Sequence, residues 1–149
     1  MIRRLTREEI EEDPNRIWNE CVAISFRPYE TLDPEQRPVH LAFLYDAEVQ
    51  NGGHLQYFEN LGDGRLSETV AALEHIGASC HASVLADAGK FYMGRQRGHP
   101  QTVDEYVDVA LEGEFDVHDE SFHNCKPSLM DHLEAYLKAN QQPFILIED

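Results

Sequence analysis

The sequence predicts an all-α fold, a single compact multi-helix domain of about six to eight helices over residues 1–149. Three observations lead there. Apolar residues recur at spacings of three and four along most of the chain. Segments open on helix-capping patterns and close on glycine or proline. No apolar–polar alternation runs beyond four residues, so a half-buried strand has no signal. With 42% hydrophobic residues, a chain of this size buries roughly 70% of its unfolded surface and can build a core without staples.

Taken in order, Thr6-Arg7-Glu8-Glu9 has capping-box spacing and predicts a short helix that stops near Asp13-Pro14. A second helix is expected from about Asn15 to Arg27, with Ile17, Trp18, Cys21, Val22, Ile24 and Ser25 on its inner face and Pro28 ending it. Asp33-Pro34-Glu35-Gln36 reads as the next start, with Asp33 as cap and Pro34 at the first helical position. That helix carries Val39, Leu41, Ala42, Leu44, Tyr45 and Val49, and ends at Asn51-Gly52-Gly53. Another begins at His54 and runs to Gly62-Asp63-Gly64. Val70, Leu73 and Ile76 mark a helix from Ser67 to Ile76 stopped by Gly77. Val84, Leu85, Ala88 and Phe91 mark one from Ser79 to about Met93. Residues 94–100 read as a loop and form the only basic patch outside the N-terminus. Thr102-Val103-Asp104-Glu105 opens a helix to Leu111. Residues 112–126 are expected as an acidic loop anchored by Phe115 and Phe122. Pro127 and Ser128 start a last helix with Leu129, Leu133, Tyr136 and Leu137. The apolar tail Phe144-Ile145-Leu146-Ile147 must dock somewhere.

The formal charge is −16, from 28 acids and 12 bases. It is concentrated late: residues 100–149 hold 12 acids against Lys126 and Lys138, a net of −10, and residues 1–99 hold 16 acids against 10 bases, a net of −6. Such a chain repels nucleic acid and favours basic partners. Cys21, Cys80 and Cys125 are odd in number, far apart and without CxxC spacing. They are expected as core thiols in a reducing cytoplasm. A polar segment follows Met1-Ile2-Arg3-Arg4, so no signal peptide is expected, and no apolar run approaches the ~20 residues of a membrane span.

No nucleophile motif, metalloprotease motif, phosphate loop or dinucleotide fingerprint appears, and Gly89-Lys90 lacks the flanking residues of a phosphate loop. The expectation is no catalytic residues and no cofactor. His118, His123 and Cys125 lie among Asp116, Asp119 and Glu120, but their spacing fits no zinc template, so no metal is expected.

Two polar constellations stand out. Asp104, Asp108 and Glu112 fall at i, i+4 and i+8 and share one helix face, about 6 Å of rise apart. Glu105 flanks that face, and Glu114, Asp116, Asp119 and Glu120 follow. The array is either a solvated face or an imitation of a phosphate backbone that contacts a partner. Glu48, Asn51, Gln56, Tyr57 and Asn60 gather around the Gly52-Gly53 break. They either line a small-ligand pocket or satisfy loose backbone groups at two helix ends, with Tyr57 and Phe58 in the core.

The run Glu48-Val49-Gln50-Asn51-Gly52-Gly53-His54-Leu55-Gln56-Tyr57-Phe58-Glu59-Asn60, with Gly62 after it, resembles the signature of a bacterial family of small, acidic, all-helical proteins typified by a DNA mimic protein. In that pattern Glu48, Asn51, Gly52, Gly53, Gln56, Phe58 and Asn60 are the matching positions, and His54 departs from it by replacing an aromatic such as Phe. Ala72-Leu73-Glu74-His75-Ile76-Gly77-Ala78, Asp119-Glu120-Ser121-Phe122, Tyr136 to Asn140 and Phe144 resemble further family elements, so the family-like core covers about residues 35–145. The resemblance implies an all-α fold, no known catalysis and no cofactor. It also implies a homodimer whose acidic surface occupies the DNA-binding site of a transcription regulator.

The first expected function is therefore an acidic protein-binding module, a DNA mimic that meets a basic DNA-binding protein through Asp104, Glu105, Asp108, Glu112, Glu114, Asp116, Asp119 and Glu120. It would contact neither nucleic acid nor membrane directly. A second is an immunity protein that plugs the basic active site of a toxin such as a nuclease. A third is a small-ligand protein or enzyme using the Asn51–Asn60 region with His54, which requires a concave pocket exposing Glu48, Asn51 and Gln56.

Overall fold

The computed structural model describes residues 2–94 and 100–149, with the backbone alone at Leu111. The expected basic loop at 94–100 lies outside the described residues over Arg95–His99. Among the described residues there are eight helices and two short strands: β1 (Arg3–Thr6), α1 (Arg7–Glu12), α2 (Arg16–Ser25), α3 (Arg37–Leu61), α4 (Leu66–His75), α5 (Ser79–Met93), α6 (Val103–Leu111), α7 (Asp116–Asn124), α8 (Leu129–Ala139) and β2 (Ile145–Glu148). A 3-10 turn at Tyr29–Thr31 joins α2 to α3. The all-α expectation holds, with a minimal sheet added.

Capping chemistry sets most helix starts. Glu9 N donates to Thr6 Oγ1 at 3.2 Å and Thr6 N donates to Glu9 Oε2 at 2.9 Å, closing the capping box of α1. Thr102 Oγ1 accepts from Glu105 N at 3.1 Å and Ser128 Oγ from Asp131 N at 3.2 Å, opening α6 and α8. The start of α3 differs from expectation. It begins at Arg37, a turn later than the Asp33-Pro34 signal, because Gln36 is drawn into the core. There its Oε1 accepts from Asp33 N at 3.0 Å and its Nε2 donates to Pro143 O at 2.8 Å. Gln36 is thus a strut between distant chain segments.

Helix α3 is the axis of the fold. It packs against α2, α4, α7 and α8. Val39 through Phe43 are all buried, as are Tyr45, Asp46 and Val49, so almost every side of its first half faces protein. Tyr45, Phe58, Leu73, Leu85, Leu133 and Phe144 are among the fully buried side chains around it. Each of the Leu and Phe side chains contributes roughly 1.5–3 kcal/mol by leaving water.

The apolar tail docks as β2, which pairs in parallel with β1, Arg3 opposite Ile145 and Leu5 opposite Ile147. Arg3 N donates to Phe144 O at 2.8 Å. Two strands alone are marginal in water. Burial of Leu5, Phe144 and Ile145 holds this pair and ties both ends of the chain to the bundle.

Two expectations are corrected. Residues 112–126, expected as an acidic loop, contain helix α7. Phe115 and Phe122, seven residues apart, enter the core from one side, and Asp116 and Asp119 lie in its first turn, where the helix dipole favours negative charge. Cys80 and Cys125 are not free thiols. They form a disulfide, Cα–Cα 5.9 Å, because α5 and α7 pack together and bring the first turn of one beside the end of the other. Only Cys21 remains a buried free thiol, its pKa pushed up to about 11 by burial and then by Glu20.

Candidate functional site

The Asn-Gly-Gly break is a kink inside α3. Gly53 has φ +71, a left-handed conformation, and a Cβ there would run into the Asp119 carboxylate. The polar motif closes across this kink. Glu48 Oε2 accepts from Gln56 Nε2 and from Asn60 Nδ2, both at 2.8 Å, and Asn51 Nδ2 donates to Gln56 Oε1 at 3.1 Å. The four side chains satisfy one another rather than backbone groups, and so brace the two halves of α3. Phe58 and Tyr57 are buried in the core as expected.

His54 extends this brace to α7. It is fully buried. Its backbone N–H donates to Asp119 Oδ1 at 2.8 Å and its ring Nδ1–H donates to the same oxygen at 2.7 Å. A carboxylate only accepts, so Nδ1 carries the proton and Nε2 takes the Tyr45 hydroxyl, 2.7 Å away. The ring also packs against Tyr45, Phe115 and Phe122. His54 thus fills an aromatic slot while its two nitrogens find partners. The Asp119–His54–Tyr45 chain looks like an acid–base relay, but Tyr45 is itself fully buried and its phenol is pushed well above its ordinary range by burial. The Tyr45 end is closed to solvent, and the chain clamps α3 to α7. Burial raises the Asp119 carboxyl, but the His54 ring and backbone bonds outweigh it and hold the pKa below the usual value.

The acidic residues after Pro100 divide by environment. Asp104, Glu105, Asp108, Glu112, Asp116 and Glu120 are exposed, whereas Glu114 and Asp119 are half-buried. Asp104, Asp108, Glu112, Asp116 and Glu120 have no ion pair among the described residues. Five of the described arginines pair elsewhere. Arg3 and Arg16 pair with Glu20, Arg4 with Glu148, Arg7 with Asp149, and Arg65 with Glu30 and Glu68. Tyr106 and Val109 seat α6 on the core, leaving the acids on its outer side with Val103 and Val107 exposed beside them. Tyr106 lies against the kink: burial, then the charges of Glu59, Glu48 and Asp119, raise its phenol pKa. Gly113, at φ +66, turns the chain from α6 into α7, and a Cβ there would meet Asp116 Oδ2 at 2.5 Å. The structure therefore brings six of the eight predicted contact residues to solvent on two consecutive helices and draws Asp119 inward as part of the clamp.

Cys125 is in the disulfide and has no thiolate to offer a metal, and no His, Cys, Asp and Glu group among the described residues is arranged to hold an ion. No helix among them is long and apolar enough to cross a membrane. Sequence reasoning missed the Tyr45–His54–Asp119 chain. Its one signal is the His at a position where the family pattern has an aromatic, since a buried imidazole needs polar partners.

No curated protein and no solved structure shows significant similarity to this sequence. A family profile described as DMP19-like protein matches residues 30–140, which run from the turn before α3 to the end of α8. With most of its length matched, and with the Asn-Gly-Gly kink and its brace at the centre of the match, the chain belongs to the DMP19-like family, the DNA mimic proteins.

Proposed function

We propose that this protein is an acidic binding module whose α6–α7 face occupies the DNA-binding surface of a basic protein, such as a transcription regulator. The observation that carries the proposal is the set of exposed carboxylates without ion pairs among the described residues, Asp104, Asp108, Glu112, Asp116 and Glu120, on two helices joined at Gly113. Along α6 the spacing is one charge per about 6 Å of axis. A DNA strand carries one per about 3.4 Å. A single helix face is thus sparser than a strand, and α7 and Glu105 supply the remaining density. Lysines and arginines that neutralise phosphates can pair with these carboxylates at little desolvation cost, because both partners stay near water. A homodimer would present the face twice.

The test is competition at controlled salt. A basic DNA-binding partner captured from the native host at ~50 mM salt is expected to be displaced by duplex DNA and to lose affinity steeply as salt rises. The combined variant Asp104→Asn, Asp108→Asn, Glu112→Gln and Asp116→Asn is expected to weaken binding by about 100-fold. A partner whose affinity ignores that variant defeats the proposal. If the captured protein is a nuclease whose cleavage is blocked, the immunity function replaces mimicry on the same face. The Asn51–Asn60 motif supports no ligand-binding alternative, because its polar groups are committed to one another.

A further inference from the structure

A second site lies on other elements, where α2, α3 and α8 leave a cleft of about 380 Å³. Its aromatic walls are Trp18, Phe26 and Phe43, with Met130 facing them. Trp18 and Phe26 both contact Phe43, with ring centroids 5.9 and 5.6 Å from it. Phe26 is 49% exposed and Met130 37% exposed, so apolar surface is left facing the opening.

Two carboxylates line the same cleft, Asp46 and Glu134. Asp46 is only 7% exposed. Its one hydrogen bond among the described residues is long, from Gln50 Nε2 to Oδ1 at 3.5 Å, and Oδ2 has no donor among them. A carboxylate so buried normally has a cation or several donors. Here burial pushes the carboxyl pKa up, with Gln50 and then His123 only partly offsetting it. Glu134 is exposed on α8 at the mouth. Lys138, one turn further along, lines a neighbouring cleft that shares Trp18 and Glu134 with this one, whereas Asp46 lines this cleft alone of the two.

Aromatic rings, a thioether and two carboxylates line one cleft and give it one chemical preference. Aromatic rings attract cations through their quadrupole, and the attraction grows as the cation sheds water. A hard metal ion is a poor fit, since magnesium or calcium requires about six oxygen ligands and the cleft offers two carboxylates. We infer that this cleft binds an organic cation of the alkylammonium class, its charge held by Asp46 and Glu134 and its methyl or methylene groups laid on Trp18, Phe26 and Met130. Such a group is either a free quaternary amine or a methylated lysine side chain of a protein, and the chemistry is common to both.

Trp18 is the single tryptophan of the chain and lines both this cleft and the neighbouring one, so a change in its emission is assigned to this cleft by Asp46→Asn, since Asp46 lines this cleft and not the other. The experiment titrates the full-length protein with choline chloride at constant ionic strength. The control is 3,3-dimethylbutan-1-ol, the neutral isostere. Choline is expected to produce a saturable change in Trp18 emission and the isostere none. Asp46→Asn should weaken choline about tenfold, and Glu134→Gln, on the exposed rim and no risk to folding, about threefold. The pair Asp104→Asn and Asp108→Asn on α6 should leave it unchanged. Capped trimethyl-lysine binding tighter than choline would identify a protein side chain as the occupant, and the reverse order a free amine. Equal response to the isostere, or no effect of Asp46→Asn and Glu134→Gln, overturns the inference. So does an equal loss in the α6 variant, which would reveal only a counterion atmosphere. None of these results bears on the α6–α7 face.

Discussion

The kink in α3 and the outer face of α6 use the same residue types to opposite ends. At the kink, Glu48 accepts from Gln56 and Asn60, and Asp119 takes two bonds from His54. On α6, Asp104, Asp108 and Glu112 are exposed and have no ion pair among the described residues. Paired acids in a half-buried setting contribute to stability, because their removal leaves donors stranded. Exposed like charges at i, i+4 cost a little stability and do nothing to hold the helix. The difference separates the part of the molecule that builds the fold from the part available to a partner.

Breaking the clamp should have the largest effect. Asp119→Ala leaves the His54 N–H and Nδ1–H without an acceptor where exposure is zero. Stranding two buried donors costs about 4 kcal/mol in all. Urea unfolding should show that loss, and a loss below about 1 kcal/mol would mean that the His54 contacts are incidental. Because the Asp119 carboxyl is held below its usual range, its contribution is present above the ordinary carboxylate pKa and is lost only as pH falls through the lower native value.

The disulfide bolts α7, which carries both the clamp and part of the acidic face, to α5. It closes a loop with a sequence separation of 45 residues. Replacing both Cys80 and Cys125 by serine should cost roughly 3 kcal/mol, read as a lower unfolding midpoint in the same assay. If the double variant matches the parent, packing of Phe115 and Phe122 alone holds α7.

His81 gives a pH test independent of either region. It is fully buried, both ring nitrogens lack a hydrogen bond, and burial, then His132, lower its pKa to about 4. Unfolded histidine takes up its proton near pH 6.5. Above that value nothing is lost; between about 6.5 and 4 the unfolded chain binds a proton that the native state refuses, so stability falls with pH. The loss should be about 2 kcal/mol at pH 5. His81→Leu should remove it, giving a flatter stability profile from pH 7 to 5. An unchanged slope would mean that the imidazole finds a partner on protonation.

The smallest effect on folding is expected at the acidic face. Asp104→Asn with Asp108→Asn and Glu112→Gln should leave the urea midpoint nearly unchanged, rising slightly at low salt and converging with the parent at high salt. Partner affinity should collapse in the same variant. A clear loss of stability would assign these acids to the fold and erase the contrast with the kink.

Much of this was legible in sequence because it is local. Thr6, Thr102 and Ser128 act within three residues, and the apolar spacing of α4, α5 and α8 follows directly from a 3.6-residue turn. The Gly52-Gly53 break is local as well, since a left-handed residue favours glycine in any context. Helix α7 was hidden because only Phe115 and Phe122 mark its inner face and the residues between are polar. The later start of α3 was hidden because the bond that draws Gln36 inward comes from Pro143, 107 residues away.

The sequence by itself determined the helical class, the family, the kink and the excess of negative charge, since each depends on residue type and near neighbours. Tertiary structure decided which acids are spent and which remain. Asp119 and Asp104 are the same residue type in the same acidic stretch, but one meets a buried histidine from a helix 65 residues earlier and the other meets water. Charge is a property of composition; its availability depends on what the fold places within hydrogen-bonding distance.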